Sequence, residues 1–409
     1  MPLTATDPAP PPAPSHTRQI LLGLSLVLIA FNLRPLFSSL SVLLPELAQS
    51  VPLSAAGAGY LTTLPVLCLG LFAPFAPMLS QRIGPERCLL LVLVLLGTGT
   101  AMRGLGTAPA LFAGSALAGA AIAMGNVLLP SVVKRDFSHC AALMTGLYTM
   151  ALCGGAAMGA AFTLPIAHHF GDAWQAGLAV WAVPAVVTLL VWAPQSLRAA
   201  VPSRHARRKI VGLARDPLAW QVSFFMGLQS ALAYCVMGWM APILRERGMD
   251  GVHAGLMTSA SVMVQVVTCL LIPTLALRFR NQSLINAGLV AVAAAALLCL
   301  LFAPVSTLWF WVLLQGVGQG GLFAMAMTVI VLRSPDSHVA AHLSGMAQGI
   351  GYILAAAGPF LVGLLHSVTG SFTATAWVFI AVGLGAAASG WGAGRARLVR
   401  VDDEMTVAR

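Results

Sequence analysis

Charge is the scarcest commodity in this sequence. Aspartate and glutamate number 12, lysine and arginine 22, and all four types make up 8% of 409 residues, against roughly 25% in a soluble domain. So little charge cannot coat a water-facing surface, which excludes an ordinary soluble protein. Lysine is nearly missing (Lys134 and Lys209), and the arginines sit at the ends of apolar runs. That distribution excludes a nucleic-acid partner despite the net charge of +10. The seven cysteines (68, 88, 140, 153, 235, 269 and 299) stand singly, with no C-x-x-C pair and no metal-ligand spacing. They read as small buried apolar side chains, with neither a disulfide framework nor a metal site. No nucleophile, paired carboxylates or cofactor motif supports an enzyme. The G-x-G-x-x-G run at 316–321 has no strand before it and lies in an apolar stretch, so it reads as close helix packing.

What is abundant is hydrocarbon: 58% of residues are hydrophobic. A transmembrane helix needs about 20 mostly apolar residues, and that ruler finds twelve spans. They cover 19–44, 56–80, 88–106, 109–133, 139–165, 174–193, 218–242, 253–277, 282–303, 306–332, 338–366 and 372–393. The fold class is therefore an all-α membrane protein of twelve helices. Residues 1–18, rich in proline and carrying Asp7, lack the basic start of a secretory signal and read as a disordered tail. Residues 19–193 form a first six-helix bundle, 194–217 a polar linker, 218–394 a second bundle and 395–409 a second tail. With the first tail in the cytoplasm, the cytoplasmic segments hold 18 basic residues and the opposite ones only Arg103, Arg245 and Arg247. This positive-inside bias puts both termini in the cytoplasm. Shifting the chain by about 200 residues lays Ser138–Leu147 over Ser337–Met346 and Ala58–Thr63 over Ala254–Ser259. An even number of spans per repeat makes the two bundles parallel, with a binding site between them near the midplane.

One basic residue is left over. Arg34 falls some 15 residues into span 1, about 22 Å deep at 1.5 Å per residue, where an arginine costs about 2.5–3.5 kcal/mol on insertion scales. No carboxylate in the spans offers itself as its partner, so Arg34 reads as an anion-binding cation in a central cavity. Pro35 leaves the Phe31 carbonyl without its helical donor and loosens the turn Asn32–Pro35. Ser38 shares a helical face with Arg34, and Asn32 points roughly opposite. Asn126, Tyr148, Gln229, Tyr234, Gln265, Gln315, Gln319, Gln348 and Tyr352 lie at similar depth in spans 4, 5, 7, 8, 10 and 11. Each taken alone reads as a helix-to-helix hydrogen bond. As a set they can surround one cavity.

The segments Asn32-Leu-Arg-Pro35, Gly125-Asn-Val-Leu-Leu-Pro130 with Lys134-Arg-Asp-Phe137, Met144-Thr-Gly-Leu-Tyr148, Gly227-Leu-Gln-Ser230, Trp239 with Pro242-Ile-Leu-Arg245, Gly320-Gly-Leu-Phe323, and Met346-Ala-Gln348 with Gly351-Tyr352 carry a resemblance. The chain resembles a major facilitator superfamily transporter, of the cyanate and 2-nitroimidazole (CynX/NimT-type) branch, over almost its whole length. The superfamily's loop motif between spans 2 and 3 is degraded here to Pro77–Glu86, with Gln81 where an aspartate is usual.

The resemblance implies a secondary transporter in a bacterial inner membrane, moving a small anionic or polar solute by alternating access. Asn32, Arg34, Ser38, Asn126, Tyr148, Gln229, Tyr234, Trp239, Gln348 and Tyr352 would form the solute site. Arg82, Arg87, Lys134 and Arg135 would serve as cytoplasmic gate or lipid contacts. The expected partners are the solute, the bilayer and a proton as candidate coupling ion, with a monomer as the working unit and no cofactor. An efflux pump using the same cavity is the alternative, followed by a membrane sensor that moves nothing.

Overall fold

The computed structural model describes residues 16–43, 46–47, 50–51, 55–198 and 208–405. The first fifteen residues, Pro45 and the centre of the linker lie outside the described residues. Span 1 consists of α1 (His16–Asn32) and α2 (Pro35–Val42), and span 2 of α3 (Ala55–Phe72) and α4 (Phe75–Ile83). Then come α5 (Pro85–Met102), α6 (Ala108–Asp136), α7 (Ala141–His169), α8 (Trp174–Ala179) and α9 (Ala182–Arg198). The second half holds α10 (Pro217–Glu246), α11 (Gly251–Ala276), α12 (Ser283–Phe302), α13 (Leu308–Arg333), α14 (Ser337–Thr369) and α15 (Ala376–Ala393). Eleven described helical stretches are long and apolar enough to cross a membrane, and the bent pair α3–α4 makes a twelfth.

Two breaks come from proline. Pro35 cannot donate to Phe31, and the chain turns through Leu33 and Arg34 on tight bonds, Leu33 N–H to Ala30 O at 3.1 Å and Phe37 N–H to Arg34 O at 3.1 Å. Span 2, expected as one helix, is bent by 58° at Ala73–Pro74. Pro74 removes the bond to Gly70, and Ala76 instead donates to Ala73 O at 3.3 Å.

Three of the few acids stand at helix starts. Asp216 accepts from Leu218 N–H at 2.6 Å, Asp336 from Val339 N–H at 2.9 Å, and Glu86 sits in the first turn of α5. Each thereby meets unpaired donors and the positive helix end. Glu86 also pairs with Arg135 at 2.5 Å, tying α5 to α6. Gln282 and Arg333 meet in the corresponding place of the second half, where Arg333 also donates to the carbonyls of Ala393 (2.9 Å) and Gly394 (2.8 Å).

Large apolar side chains point outward all round, among them Phe360, Trp377 and Leu384. A water-facing surface rarely carries so many, and a hydrocarbon-facing one requires them. The most buried spans are Ala108–Asp136 and Val305–Arg333, each 83% buried, against 22% for His253–Ala276, so α6 and α13 stand at the centre. The glycines of α13 make that possible. Gly316 and Gly320 lie against Ser261, Gln265 and Thr268 of α11, while Gly318 and Gly321 lie against Ala293 and Leu289 of α12. The 316–321 run is thus helix packing on two faces.

Two expectations need correction. The linker and the second tail were read as a polar connection and a tail of an all-α protein, yet β1 (Arg208–Val211) and β2 (Asp402–Met405) form an antiparallel ladder with Lys209 opposite Glu404. Arg103, counted with the basic residues of the side opposite the cytoplasm, is fully buried: the short turn after α5 aims it inward, where Nη1 donates to Leu36 O at 3.2 Å.

The packing gives a paired prediction. Gly320→Ala places a methyl against Thr268 and the Gln265 backbone and should destabilise by about 1–3 kcal/mol. Gly154→Ala, with nothing within 4 Å, should change stability by about 1 kcal/mol or less. Thermal unfolding of the two purified variants in detergent, followed by tryptophan fluorescence, checks both.

Candidate functional site

The loosened turn before Pro35 presents Arg34 to the interface between the halves. Helix α7 comes close at this point because Gly155 has no side chain: a Cβ there would collide with the Phe31 carbonyl that Pro35 leaves unpaired. Gly159 lies likewise against Pro35 and Ser38.

Around the guanidinium stand residues of α7, α10, α11, α13 and α14. The Arg34 carbon lies 5.1 Å from the centre of the Phe323 ring, a cation–π arrangement. The other groups acting on it are the hydroxyls of Tyr352 and Tyr234 and the thiols of Cys153 and Cys269, none of them a carboxylate. Tyr234 and Tyr352 meet edge to face, centroids 6.4 Å apart. One turn beyond Tyr234 on the same face, Gly238 is exposed and meets nothing within 4 Å. Arg34, Tyr234 and Cys153 are half-buried.

Below this cage, toward the side that carries the β1–β2 ladder, the halves touch. Gln348 donates to the Asn126 carbonyl at 2.9 Å and to Ser344 at 2.8 Å. The side-chain nitrogen of Asn126, the side-chain oxygen of Gln348 and the hydroxyl of Tyr352 are buried without a hydrogen-bond partner. Buried polar atoms are normally paired, so three orphans near an uncompensated cation make a cluster able to bind a polar ligand. Tyr148 is buried in the same region.

The remaining expected site residues lie elsewhere. Asn32 turns to α9 and donates to Thr188 at 2.8 Å, so it braces span 1 against span 6. Ser38 packs between α2 and α7. Gln229 is fully buried, bonded to Ser230 at 2.8 Å and accepting from Gln319 at 3.3 Å. Gln315 accepts from Ser261 at 2.7 Å. These amides join helices inside the second half. Trp239 donates to Pro359 O at 3.0 Å and packs on Phe372, 5.6 Å away, at the end of α10 far from the ladder.

On the ladder side, Gln81 meets His342 at 2.8 Å across the halves, a neutral contact where an acid was usual. Lys134 faces Asp336 of the second half. Arg135 is committed to Glu86 and Asp136 within its own half, Arg82 is exposed, and Arg87 is half-buried. Phe323, Cys153 and Cys269 were not among the expected site residues. Phe323 does fall in the quoted segment Gly320–Phe323, but no periodicity brings it to Arg34.

A family model described as Major Facilitator Superfamily matches residues 21–314 and 222–403. The 2-nitroimidazole transporter of Escherichia coli (strain K12) is 37% identical over 361 residues, 88% of this chain and 91% of that one. The cyanate transport protein CynX of the same organism is 32% identical over 360 residues, covering 88% and 93%. Among solved structures, the proton:xylose symporter XylE superposes with a TM-score of 0.76 over 92% of this chain and 95% of that one, at 12% identity. Twelve spans in two halves about a central arginine, matched by a family model along nearly the whole sequence, identify the chain as a transporter belonging to the major facilitator superfamily.

Proposed function

We propose that the chain is a secondary transporter for a small anionic or electron-rich polar solute, bound at Arg34 between the halves and carried by alternating access. The carrying observation is the arginine itself. It stands deep in the bundle among rings and thiols, with no carboxylate of the described residues acting on it, so its charge is left for a ligand to answer. Arg34 supplies a planar fork for a nitro, carboxylate or cyanate group. Tyr234, Tyr352 and Phe323 wall the site, and Asn126 Nδ2 and Gln348 Oε1 offer a donor and an acceptor. The relatives named for 2-nitroimidazole and cyanate support a solute of this class.

The contacts between halves on the ladder side, including Gln81–His342, Gln348–Asn126 and the Lys134–Asp336 pair, support a closed cytoplasmic side. Open space at Gly238 supports access from the opposite side. The ladder, both tails and Lys134 and Arg135 then lie in the cytoplasm, in keeping with the positive-inside bias. Rocking of one bundle against the other exposes Arg34 to each side in turn. A proton that enters with the anion would leave Arg34 charged throughout, so no intramembrane carboxylate is needed for coupling.

Counterflow of labelled 2-nitroimidazole, cyanate and small carboxylates in proteoliposomes, with and without an imposed pH gradient, tests this reading. Arg34→Ala should weaken binding by at least about 30-fold, about 2 kcal/mol, while its unfolding temperature stays at or above wild type. Arg34→Lys should recover part of the loss, because an ammonium keeps the charge but not the fork. Wild-type counterflow in Arg34→Ala would overturn the assignment.

A second outcome separates ligand contact from packing. Tyr352→Phe removes a buried hydroxyl that makes no hydrogen bond within the protein but stands beside Arg34, so stability should change by about 1 kcal/mol or less. Solute affinity should fall by about 3- to 10-fold, the worth of one hydrogen bond. Unfolding and binding titrations on the same preparation check both.

A further inference from the structure

Cys153 belongs to α7 of the first half and Cys269 to α11 of the second, 116 residues apart in sequence, yet their sulfurs stand 3.6 Å from each other. The two backbones are locked together around them. Cys269 donates its thiol proton to Gly320 O at 3.3 Å, and Thr149, one turn before Cys153, donates to the Cys269 carbonyl at 3.4 Å. One turn earlier still, a Cβ placed on Gly146 would meet Leu270 O at 3.1 Å, so the glycine lets α11 approach. This contact is part of the closed side. Cys153 is nevertheless half-buried and stands beside Arg34, in the cage that on the reading above opens away from the ladder. Of the two sulfurs this is the accessible one, since Cys269 is fully buried.

A disulfide needs its sulfurs about 2.05 Å apart, so the pair must close about 1.5 Å, a distance that side-chain rotation supplies. We propose that Cys153 and Cys269 form an oxidant-sensitive disulfide that fastens the two halves on their closed side. The co-reactant is a peroxide. The Cys153 sulfur, giving up its proton, attacks one peroxide oxygen, the O–O bond breaks, and water leaves with a sulfenic acid in place. The Cys269 sulfur then displaces the hydroxyl as a second water while losing its own proton. Two thiols lose two electrons and two protons, and the peroxide accepts both. A covalent bond between α7 and α11 prevents the separation that opening this side requires, so the carrier halts with its site facing the open side. The halt rests on the alternating-access reading above; the bond does not.

The test uses the full-length protein in nanodiscs and in proteoliposomes, exposed to hydrogen peroxide and then blocked with N-ethylmaleimide. Peptide mapping should find Cys153 and Cys269 joined, and the joined peptide should vanish after dithiothreitol. Amide exchange over 146–153 and 269–276 should slow on oxidation and recover on reduction. Counterflow of 2-nitroimidazole should be lost and restored in step. Cys153→Ser and Cys269→Ala should each keep their own untreated rate through the peroxide step. Both cysteines recovered singly alkylated would overturn the bond, and a joined peptide with unchanged exchange would overturn the lock. An untreated protein with no counterflow counts against the solute reading alone, because mapping and exchange need no solute.

Discussion

A guanidinium deep in an apolar bundle is the constraint from which the centre of this molecule follows. Arg34 cannot give up its proton in a protein, and among the described residues no carboxylate acts on it. What compensates it is indirect: the face of Phe323, two tyrosine hydroxyls, and a path along which water or an anion can reach it. A desolvated cation over a ring recovers about 2 kcal/mol, comparable with the insertion cost of the arginine but short of satisfying its donors. The turn that holds Arg34 depends on Pro35 for its missing bond and on Gly155 and Gly159 for the close approach of α7. Cation, break and glycines form one arrangement, and each is unfavourable without the other two.

The second theme is how weakly the halves hold each other compared with how firmly each holds itself. Within the halves, Glu86–Arg135 and the multiple bonds from Arg333 anchor the ladder-side helix ends. These two pairs occupy equivalent places in the repeat, ionic in the first half and arginine–amide in the second. Across the interface the named hydrogen bonds are neutral, between Gln81 and His342, Gln348 and Asn126, and Thr149 and Cys269. Side-chain bonds of this kind inside membranes average about 0.6 kcal/mol. A body that must exchange two arrangements needs a small difference between them, and a few weak neutral hydrogen bonds, with Lys134 facing Asp336 at the ladder-side edge, keep that difference small.

The sequence yielded the spans to within a few residues because a single physical rule, the thickness of hydrocarbon, sets their length. It yielded Arg34 because an unpaired charge stands out against an apolar background, and the break at Pro35 because proline acts on its own backbone. It failed where a residue's role depends on its neighbour. Asn32 and Asn126 carry the same amide at similar depth, yet one meets Thr188 and the other keeps a free nitrogen. Gln229 and Gln348 differ in the same way, the first occupied by Gln319 and Ser230, the second left with an unpartnered oxygen. Arg103 counted as a cation of the far membrane face because it stands at the end of span 3, and only the turn after α5 sends it inward.

What the sequence by itself determined is therefore everything governed by solvent and by local covalent geometry. That includes an all-helical membrane protein, its twelve spans, the parallel repeat, the side that bears the positive charge, and one arginine in need of an explanation. What only the tertiary structure decided is which polar groups converge on that arginine and which tie helices together. It also decided that two cysteines 116 residues apart meet across the halves and that linker and tail pair as strands. The reason is physical: helical periodicity fixes the direction in which a side chain leaves its own axis, while the identity of what it meets depends on packing between helices distant in sequence.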